Sequence, residues 1–404
     1  MSSTVSSRFG NLLHACVLVG ALLPSATAQD AASWRWVHRG DLNVARARHT
    51  ATLLTNGKVL VAGGYADSFG TPTKSAELYD PATETWSITG DLSFDRAGHT
   101  ATLLPNGKVL VVGGSAGDGG KSEVFNPTDG TWSLTEAWGS LGGHTATLLN
   151  NGKVLVAGGF PPSSQAINSC RLYDPDTGTW SLTGGMQSAR GYHTATLLPD
   201  GSVLAAGGAS GPSTQQISLA DLYDPVNGTW ASTGALKVAR FSHTATLMSD
   251  GRVLVACGTN SNYNPTFALP MDLFSNNVWS QGPFLNTIRT DTTATLLQNN
   301  KVLFAGGQGN GTPYLTSTEL CTPGLGAVDF TWANGPSLHV GRSRHTATLL
   351  PDGTVLVVGG TNGTPLASTE VYRLTANGDF GGDGKADILF RHPSTGDVYL
   401  WLME

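Results

Sequence analysis

The chain has 404 residues, a net charge of −6 and a pI near 5.9, and only 13% of its residues are charged. This charge balance does not indicate a protein that binds nucleic acid. The sequence also has no lysine–arginine cluster of the kind that attaches a protein to an anionic membrane. The 52 glycines far exceed the average usage of about 7%, and their regular spacing predicts many tight turns between short strands.

The first 28 residues have the features of an export signal. Arg8 supplies the positive start, residues 12–23 form an apolar stretch, and Ala26-Thr27-Ala28 fits a small-residue cleavage site. A transmembrane anchor is the first alternative, but it needs roughly 20 apolar residues. Lipid attachment at Cys16 is the second, although most of the apolar run would then stay in the mature protein. We expect a secreted, periplasmic or cell-surface protein without membrane insertion after cleavage of residues 1–28.

Residues 33–42 come next and have the pattern of one strand followed by a turn. Their sequence, Ser-Trp-Arg-Trp-Val-His-Arg-Gly-Asp-Leu, is similar to Thr-Trp-Ser-Ile-Thr-Gly-Asp-Leu at residues 85–92. The first segment therefore looks like the last strand of a repeat whose other strands lie elsewhere in the chain.

A sequence motif close to His-Thr-Ala-Thr-Leu-Leu-x-x-Gly-x-Val-Leu-x-x-Gly-Gly recurs roughly every fifty residues. In the fifth copy, Cys257 replaces the first glycine of the closing pair. Self-similarity at such a period predicts a repeat architecture. The copies begin at His49, His99, His144, His193, His243 and His345, with a degenerate copy at Thr293.

One repeat contains four segments that favour β-strands. Residues 99–104 and 108–112 form a strand–turn–strand unit around Pro-Asn-Gly, which is typical of a hairpin. A third strand is predicted at residues 122–125, ending before a proline, and a fourth at residues 131–134. Four antiparallel strands in every repeat are the pattern of a propeller blade.

The repeats resemble the kelch family. The resemblance rests on an arginine before the His-Thr-x-x-Leu strand, the double glycine, the Leu-Tyr-Asp-Pro turn and the following Thr-Trp. It covers residues 33 to about 374 and implies an all-β, seven-bladed kelch-type β-propeller. Seven sets of the first three strands, with six tryptophan strands after them, leave one outer strand missing. We predict that residues 33–42 complete the last blade and leave no open edge.

Two residue types of the repeat, histidine and arginine, are candidates for a functional site because they carry metal-binding nitrogens or a charge. The histidines suggest a metal ring, but symmetry places them in equivalent settings around the axis, so we expect each imidazole to bond to neighbouring backbone. The repeated arginines are expected to anchor the inter-blade loops, with an anion-binding ring at the channel mouth as the alternative. These arginines are Arg46, Arg96, Arg190, Arg240 and Arg342, with Arg289 near the degenerate copy.

The loops after the double glycines differ in length and content, and all should emerge on one face with the arginine-bearing loops. Loops on a rigid scaffold are where recognition usually occurs. Aromatic side chains there would stack on sugars or clamp a protein, or alternatively fill the loop cores. The candidate ligand-binding residues are Tyr65, Phe69, Arg96, Phe160, Arg190, Arg240, Tyr263, Phe267, Tyr314 and Arg342.

The tail after residue 375 follows a different pattern. Asp379, Asp383 and Asp387, with a sharp turn at Gly384, are followed by two alternating apolar segments. This tail, residues 377–404, resembles part of an FG-GAP or VCBS repeat, which implies a calcium loop whose third ligand position is here glycine. Three aspartates, the carbonyl of Lys385 and water would bind Ca²⁺ weakly. The alternative is a solvated acidic turn between two strands.

The sequence favours a binding module that recognises a protein or glycan through the loop face and performs no chemistry, without a cofactor in the propeller. The rival comes from a second resemblance, to galactose and glyoxal oxidases, whose copper is held by tyrosines and histidines with one tyrosine crosslinked to a cysteine. This chain departs from that pattern because its histidines are accounted for by the repeat. The cysteines that follow the export signal, Cys170, Cys257 and Cys321, show no evident tyrosine partner. They are also too few for a dense disulfide framework.

Overall fold

The structure is a computed structural model. It describes residues 33–114, 120–137, 139, 141–162, 165–211, 215–260, 269–375, 388–391 and 398–401. The chain divides into two compact units, of which Trp34–Thr375 is one, and Met1–Ser33 with Ala376–Glu404 is the other. None of the described helical segments is long and apolar enough to cross a membrane.

The larger unit is built from short β-strands, as the repeats predict. Strand β1 is Ser33–Arg39, and the first two complete blades are β2 Thr50–Leu53, β3 Val59–Ala62, β4 Ala76–Asp80, β5 Thr85–Ile88, β6 Thr100–Leu103, β7 Val109–Val112, β8 Lys121–Asn126 and β9 Thr131–Ala137. The next two are β10 Thr145–Leu148, β11 Val154–Ala157, β12 Cys170–Asp174, β13 Thr179–Thr183, β14 Thr194–Leu197, β15 Val203–Ala206, β16 Leu219–Asp224 and β17 Thr229–Ala235.

The last three blades follow in the same order. Their strands are β18 Thr244–Leu247, β19 Val253–Ala256, β20 Pro270–Ser275, β21 Val278–Phe284, β22 Thr293–Leu296, β23 Val302–Ala305, β24 Thr318–Thr322, β25 Thr331–Gly335, β26 Thr346–Leu349, β27 Val355–Val358 and β28 Thr369–Thr375. A 3₁₀ turn at Ala327–Asp329 precedes β25. The second unit contributes an antiparallel hairpin of β29 (Ile388–Arg391) and β30 (Val398–Trp401).

Seven four-stranded antiparallel sheets form the blades, which confirms the predicted all-β, seven-bladed propeller. In six blades the strands are ordered as in the chain, for example β2-β3-β4-β5. The seventh blade has the order β1-β28-β27-β26, so the N-terminal strand completes it as the sequence predicts. The innermost strands of neighbouring blades contact one another, including β26 with β2, and the ring is closed.

The core lies between the blades because each sheet is apolar on both faces. The second strand of every blade is fully buried, and its residues alternate between the two neighbouring sheets. Leu60 and Ala62 of β3 pack with Val109 and Val111 of the next blade. Val59 and Val61 point the other way and pack with β27 of the seventh blade. Burying this surface stabilises the ring by roughly 1.5–3 kcal/mol for each large side chain.

The closing strand β1 is held by aromatic and ionic contacts. Trp36, 3% exposed, and Trp34 both pack on Tyr372 of β28, with ring centroids 5.2 Å and 4.8 Å away. Arg39 of β1 forms an ion pair with Glu84 of the first blade at 2.6 Å. The last blade is thereby tied to the first as well as closed within itself.

Candidate functional site

The repeated arginines lie inside the propeller as anchors for the inter-blade linkers. Each is fully buried and pairs with an acidic residue on the third strand of its own blade. Each arginine also donates a hydrogen bond to the backbone carbonyl of the first residue at the Gly-Gly position of its blade. For example, Arg46 Nη1 lies 2.8 Å from Gly63 O. The ion pairs and their N–O distances are Arg46–Glu77 at 2.7 Å, Arg96–Glu123 at 2.7 Å, Arg190–Asp221 at 2.8 Å, Arg240–Asp272 at 2.8 Å, Arg289–Glu319 at 3.0 Å and Arg342–Glu370 at 2.7 Å.

The paired carboxylates fasten the linkers through the backbone as well. Glu77 Oε2 accepts from the amide N–H of Asn43 at 2.8 Å, and Glu77 Oε1 accepts from that of Val44 at 3.0 Å. Burial raises the pKa of Asp221 and Asp272, and the paired arginine opposes this increase by Coulomb attraction. Charge-assisted bonds compensate the desolvation of both groups.

This burial corrects the candidate list. Arg96, Arg190, Arg240 and Arg342 are 0% exposed, so they are structural anchors and do not reach a ligand at the loop face. The blade formed by β10–β13 departs from the pattern, because Leu141 stands at the arginine register and Arg171 at the acidic register. That blade therefore lacks the linker ion pair that the other six blades have in the described structure.

The repeated histidines form a second ring, which joins the innermost strands. Each Nε2 lies 2.9–3.1 Å from the Oγ1 of the threonine that begins the inner strand of the preceding blade. The partner of this nitrogen is a side-chain hydroxyl, whereas the sequence led us to expect neighbouring backbone. The pairs are His49–Thr346, His99–Thr50, His144–Thr100, His193–Thr145, His243–Thr194 and His345–Thr293.

Burial keeps these imidazoles neutral. It lowers the pKa of His99, His243 and His345 to about 3 and that of His144 to about 4. The degenerate copy interrupts the ring, and its residue at the histidine register is Thr292, one position before the Thr293 predicted from the sequence. Thr292 donates its hydroxyl to Ala305 O at 2.8 Å.

The residue that immediately precedes each histidine position of the repeat lies at the mouth of the central channel. We call these seven residues the mouth ring. Hydrogen bonds between their backbones connect neighbouring blades, for example from Arg48 N to Arg344 O at 3.0 Å and from Tyr192 N to Gly143 O at 2.7 Å. The mouth ring consists of Arg48, Gly98, Gly143, Tyr192, Ser242, Asp291 and Arg344.

Every residue of the mouth ring has a left-handed backbone, with φ between 49° and 67°. Five of the seven are not glycine, although such a conformation costs an ordinary residue of order 1–3 kcal/mol. The strain is imposed by the repeat, since the same backbone occurs in all seven blades. It directs five side chains of four kinds to one opening, and the two glycines contribute none.

The mouth ring and four of the histidines, His49, His99, His144 and His345, line a cavity of about 410 Å³. Arg344 and Asp291 form an ion pair across the blade boundary, with Arg344 Nε 3.0 Å from Asp291 Oδ2. Arg48 also lines the cavity, and its guanidinium has no ion-pair partner among the described residues. With the histidines neutral, the charged side chains of the lining sum to one positive charge.

Aromatic side chains form one wall of the mouth. The Tyr192 ring lies 5.3 Å from that of Phe160 and 6.4 Å from that of Phe241, between centroids. We call these three residues the aromatic platform. Glycines make room for it: a Cβ on Gly143 would lie 2.9 Å from Tyr192 Cδ1, and one on Gly191 would collide with the Phe160 ring. Tyr192 remains 41% exposed and lines the cavity.

The other predicted ligand-binding residues differ in whether they line the cavity. Tyr65 lines the same cavity, whereas Phe69 is 95% exposed in its loop and lies outside the cavity lining. Tyr314 is half-buried in the loop that follows Gly306–Gly307. Tyr263 and Phe267 lie outside the described residues, as do the proposed calcium ligands Asp379, Asp383, Lys385 and Asp387.

Sequence reasoning missed the five side chains of the mouth ring: Arg48, Tyr192, Ser242, Asp291 and Arg344. A signal was present, because the position before the histidine varies between the copies and is arginine, glycine, tyrosine, serine or aspartate. Its importance depends on the left-handed backbone, which places the side chain at the channel.

The described residues do not fit a copper centre of the tyrosine–histidine type. The histidine Nε2 atoms are engaged by threonine hydroxyls, and each belongs to a different blade. Burial raises the pKa of the free thiols to about 11 for Cys170 and about 12 for Cys257 and Cys321. In the part of the chain that the structure describes, no three His, Cys, Asp or Glu side chains are grouped to hold a metal ion.

Comparison with known proteins gives family and fold matches. Residues 98–307, just over half of the chain, match the family model of the KLHDC2/KLHL20/DRC7 Kelch-repeats domain, and residues 46–93 match the Kelch motif. No curated protein sequence matches. A solved structure described as a novel fungal alcohol oxidase of the AA5 family in complex with copper is 18% identical, with a TM-score of 0.68 over 89% of this chain and 80% of that chain. The structure of YjhT is 17% identical, with a TM-score of 0.55 over 73% of this chain and 99% of that chain.

Proposed function

This chain belongs to the kelch-repeat family, and from that premise we propose that it is a binding protein whose ligand enters the channel mouth and is not chemically changed there. The family and the fold are compatible with a binding module and with propeller enzymes. The choice between them depends on the side chains at the mouth.

The observation that carries the proposal is the contrast between the repeated positions and the mouth ring. The repeated arginines and histidines are engaged in ion pairs and interblade hydrogen bonds. At the adjacent register, the same strained backbone presents two arginines, a tyrosine, a serine, an aspartate and two glycine positions to one cavity. A varied set of groups on a repeated scaffold is the arrangement expected of a recognition site.

The ligand class is a protein or a glycan. The exposed face of Tyr192 offers apolar contact, and Arg48 and Ser242 offer polar contacts in the same cavity. A cavity of this size suits a small group or the end of a chain, because ligand pockets commonly measure roughly 300–1,000 Å³. Export to the cell surface or beyond, inferred from residues 1–28, would place such a ligand outside the cytoplasm.

Arrays of glycans and of peptides probed with the purified protein test this function. We expect one class to bind, and Tyr192→Ala to reduce that binding at least tenfold. Leu182→Ala is the matched control, because Leu182 is 78% exposed on the outer strand β13, away from the cavity lining. Binding that survives Tyr192→Ala and Arg48→Asn but is lost in Leu182→Ala would place the site on the outer strands and contradict the proposal.

The alternative function is a copper-radical oxidoreductase, or another carbohydrate-active propeller enzyme. The likeness to a copper-containing alcohol oxidase favours it at the level of the fold. The hydrogen bonds between the histidine Nε2 atoms and threonine hydroxyls weigh against the oxidoreductase function. Metal analysis after copper loading distinguishes the two: a stoichiometric copper with a radical absorption band would support the oxidase and overturn the binding proposal.

A further inference from the structure

We propose that the channel mouth recognises a carboxylate-bearing saccharide, with the carboxylate on Arg48 and the sugar ring against Tyr192. This inference rests on the proposed binding function and adds the chemical class of the ligand. It is carried by three properties of the described cavity: one cation without an ion-pair partner, one partly exposed aromatic side chain, and hydroxyl groups in the same lining.

The cation is Arg48. Asp291 neutralises Arg344 at 3.0 Å, whereas the guanidinium of Arg48 faces the same cavity without an ion-pair partner in the described structure. The whole chain carries a net charge of −6, so a local positive charge runs against the general balance. An arginine presents a planar fork of donors that matches a carboxylate, and in a concave site the interaction is screened less than at the open surface.

The aromatic face is Tyr192. Its ring is held between Phe160 and Phe241 and over Gly143, so its orientation is fixed before a ligand arrives. A fixed aromatic surface offers contact area at little conformational cost. It accepts the apolar face of a pyranose ring, and the Tyr65 side chain lines the same cavity.

The hydroxyl groups belong to Ser242, Thr292 and Thr100, which also line the cavity. Ser242 provides a hydrogen-bond donor and acceptor for sugar hydroxyls, whereas the hydroxyl of Thr292 already donates to Ala305 O and that of Thr100 is paired with His144 Nε2. Gly98 leaves its part of the mouth open, because nothing lies within 4 Å of a Cβ built there, and Gly143 makes room for the Tyr192 ring. An anionic group, several hydroxyls and a flat apolar face together describe an acidic saccharide.

Calorimetric titration with galacturonic acid oligosaccharides tests the inference, with the methyl esters of the same oligosaccharides as the matched ligand. We expect the acids to bind at least about tenfold more tightly than the esters, since a hydrogen bond to a charged group contributes enough for that factor. Arg48→Asn should remove the preference for the acid. Asparagine tolerates a left-handed backbone, and a thermal melt of the variant checks its fold.

A second variant separates recognition from structure. Asp291→Asn removes the ion-pair partner of Arg344 and should strengthen binding of the acid by several fold, whereas a merely structural loss would weaken it. Lys237→Gln is the control for the loss of one positive charge in Arg48→Asn, because Lys237 is exposed and outside the cavity lining. It should change affinity by less than twofold.

The outcomes separate this inference from the proposed function. Equal binding of acids and esters, or no binding of either while peptides bind through Arg48 and Tyr192, would overturn the saccharide assignment and leave the binding function intact. Ligand binding that is indifferent to every mouth-ring variant would overturn both.

Discussion

Cys257 and Thr292 depart from the repeat together, at facing registers of neighbouring blades. In the other six blades the residue at the Cys257 register is glycine, and the next blade has histidine at the Thr292 register. A Cβ on any of those glycines would lie only 2.6–3.0 Å from the histidine Cε1. The thiol side chain is therefore tolerated where the imidazole is missing, and the two exceptions compensate one another.

The first prediction concerns this pair. Thr292→His should destabilise the protein by about 1–3 kcal/mol, because the imidazole meets Cys257 in a packed interface. Adding Cys257→Gly should recover most of that loss and supply a bond to Thr244, the register that lacks a histidine partner. Urea denaturation of the four proteins of the double-mutant cycle measures the coupling. Additive effects of the two substitutions would contradict the compensation.

The second prediction concerns a linker anchor. Arg342→Met should cost about 3–5 kcal/mol, because it leaves the Glu370 carboxylate buried without its counter-charge. Glu370→Gln in the same protein should lower that cost, because it removes the uncompensated charge. Its single amide oxygen keeps one of the two hydrogen bonds that the carboxylate accepts from the backbone N–H groups of His339 and Val340. Equilibrium denaturation measures both. A double variant that is as unstable as the single one would show that the charge is not the cause.

The third prediction concerns pH. The buried histidines have a lowered pKa when folded, about 3 for His243, against about 6.5 when unfolded. The unfolded chain therefore binds more protons between these values, and stability falls as the pH drops below about 6.5. Each such histidine contributes up to about 1.4 kcal/mol per pH unit.

Denaturation midpoints measured from pH 7.5 to pH 4.5 test this dependence. The free energy of unfolding should stay nearly constant above pH 7 and decline increasingly steeply below pH 6. His243→Gln should be less steep than the parent protein over the same range. An unchanged slope in that variant would mean that other groups dominate the acid sensitivity.

The fourth prediction concerns closure of the ring. Trp36→Ala in β1 should cost about 3–5 kcal/mol, because a buried aromatic and its contact with Tyr372 are lost. Trp34→Ala should cost less, because Trp34 is 37% exposed on the same strand although its ring also stacks on Tyr372. Thermal melts of both variants give the comparison. Equal effects would indicate that β1 is not packed in the seventh blade as described.

The fold was predictable from the sequence because it depends on features that repeat. The alternation of apolar residues, the turns and the Gly-Gly ends recur in each copy, and the similarity of residues 33–42 to 85–92 was sufficient to place β1 in the seventh blade. Repetition also indicated that the arginines and histidines serve the scaffold, although it did not reveal the acidic partners of the arginines or the threonine partners of the histidines in the preceding blades.

The candidate site was not predictable to the same degree. The aromatic residues proposed from loop composition include two that line the mouth or form its platform, Tyr65 and Phe160, but Tyr192 and Arg48 were overlooked. Their position depends on a left-handed backbone beside the histidine, which non-glycine residues adopt only when the surrounding structure imposes it. The pairing of Arg344 with Asp291 joins residues more than fifty positions apart, and no local pattern indicates it.

Hydrogen–deuterium exchange with and without bound ligand tests the central claim, that the mouth ring is the recognition site, most directly. The account predicts slower exchange on binding in the linkers at residues 46–49, 190–193, 240–243 and 342–345. The turns at residues 55–58 and 105–108, which join the first and second strands of their blades, should not change. Protection confined to those turns or to the outer strands, with the four linkers unaffected, would contradict it.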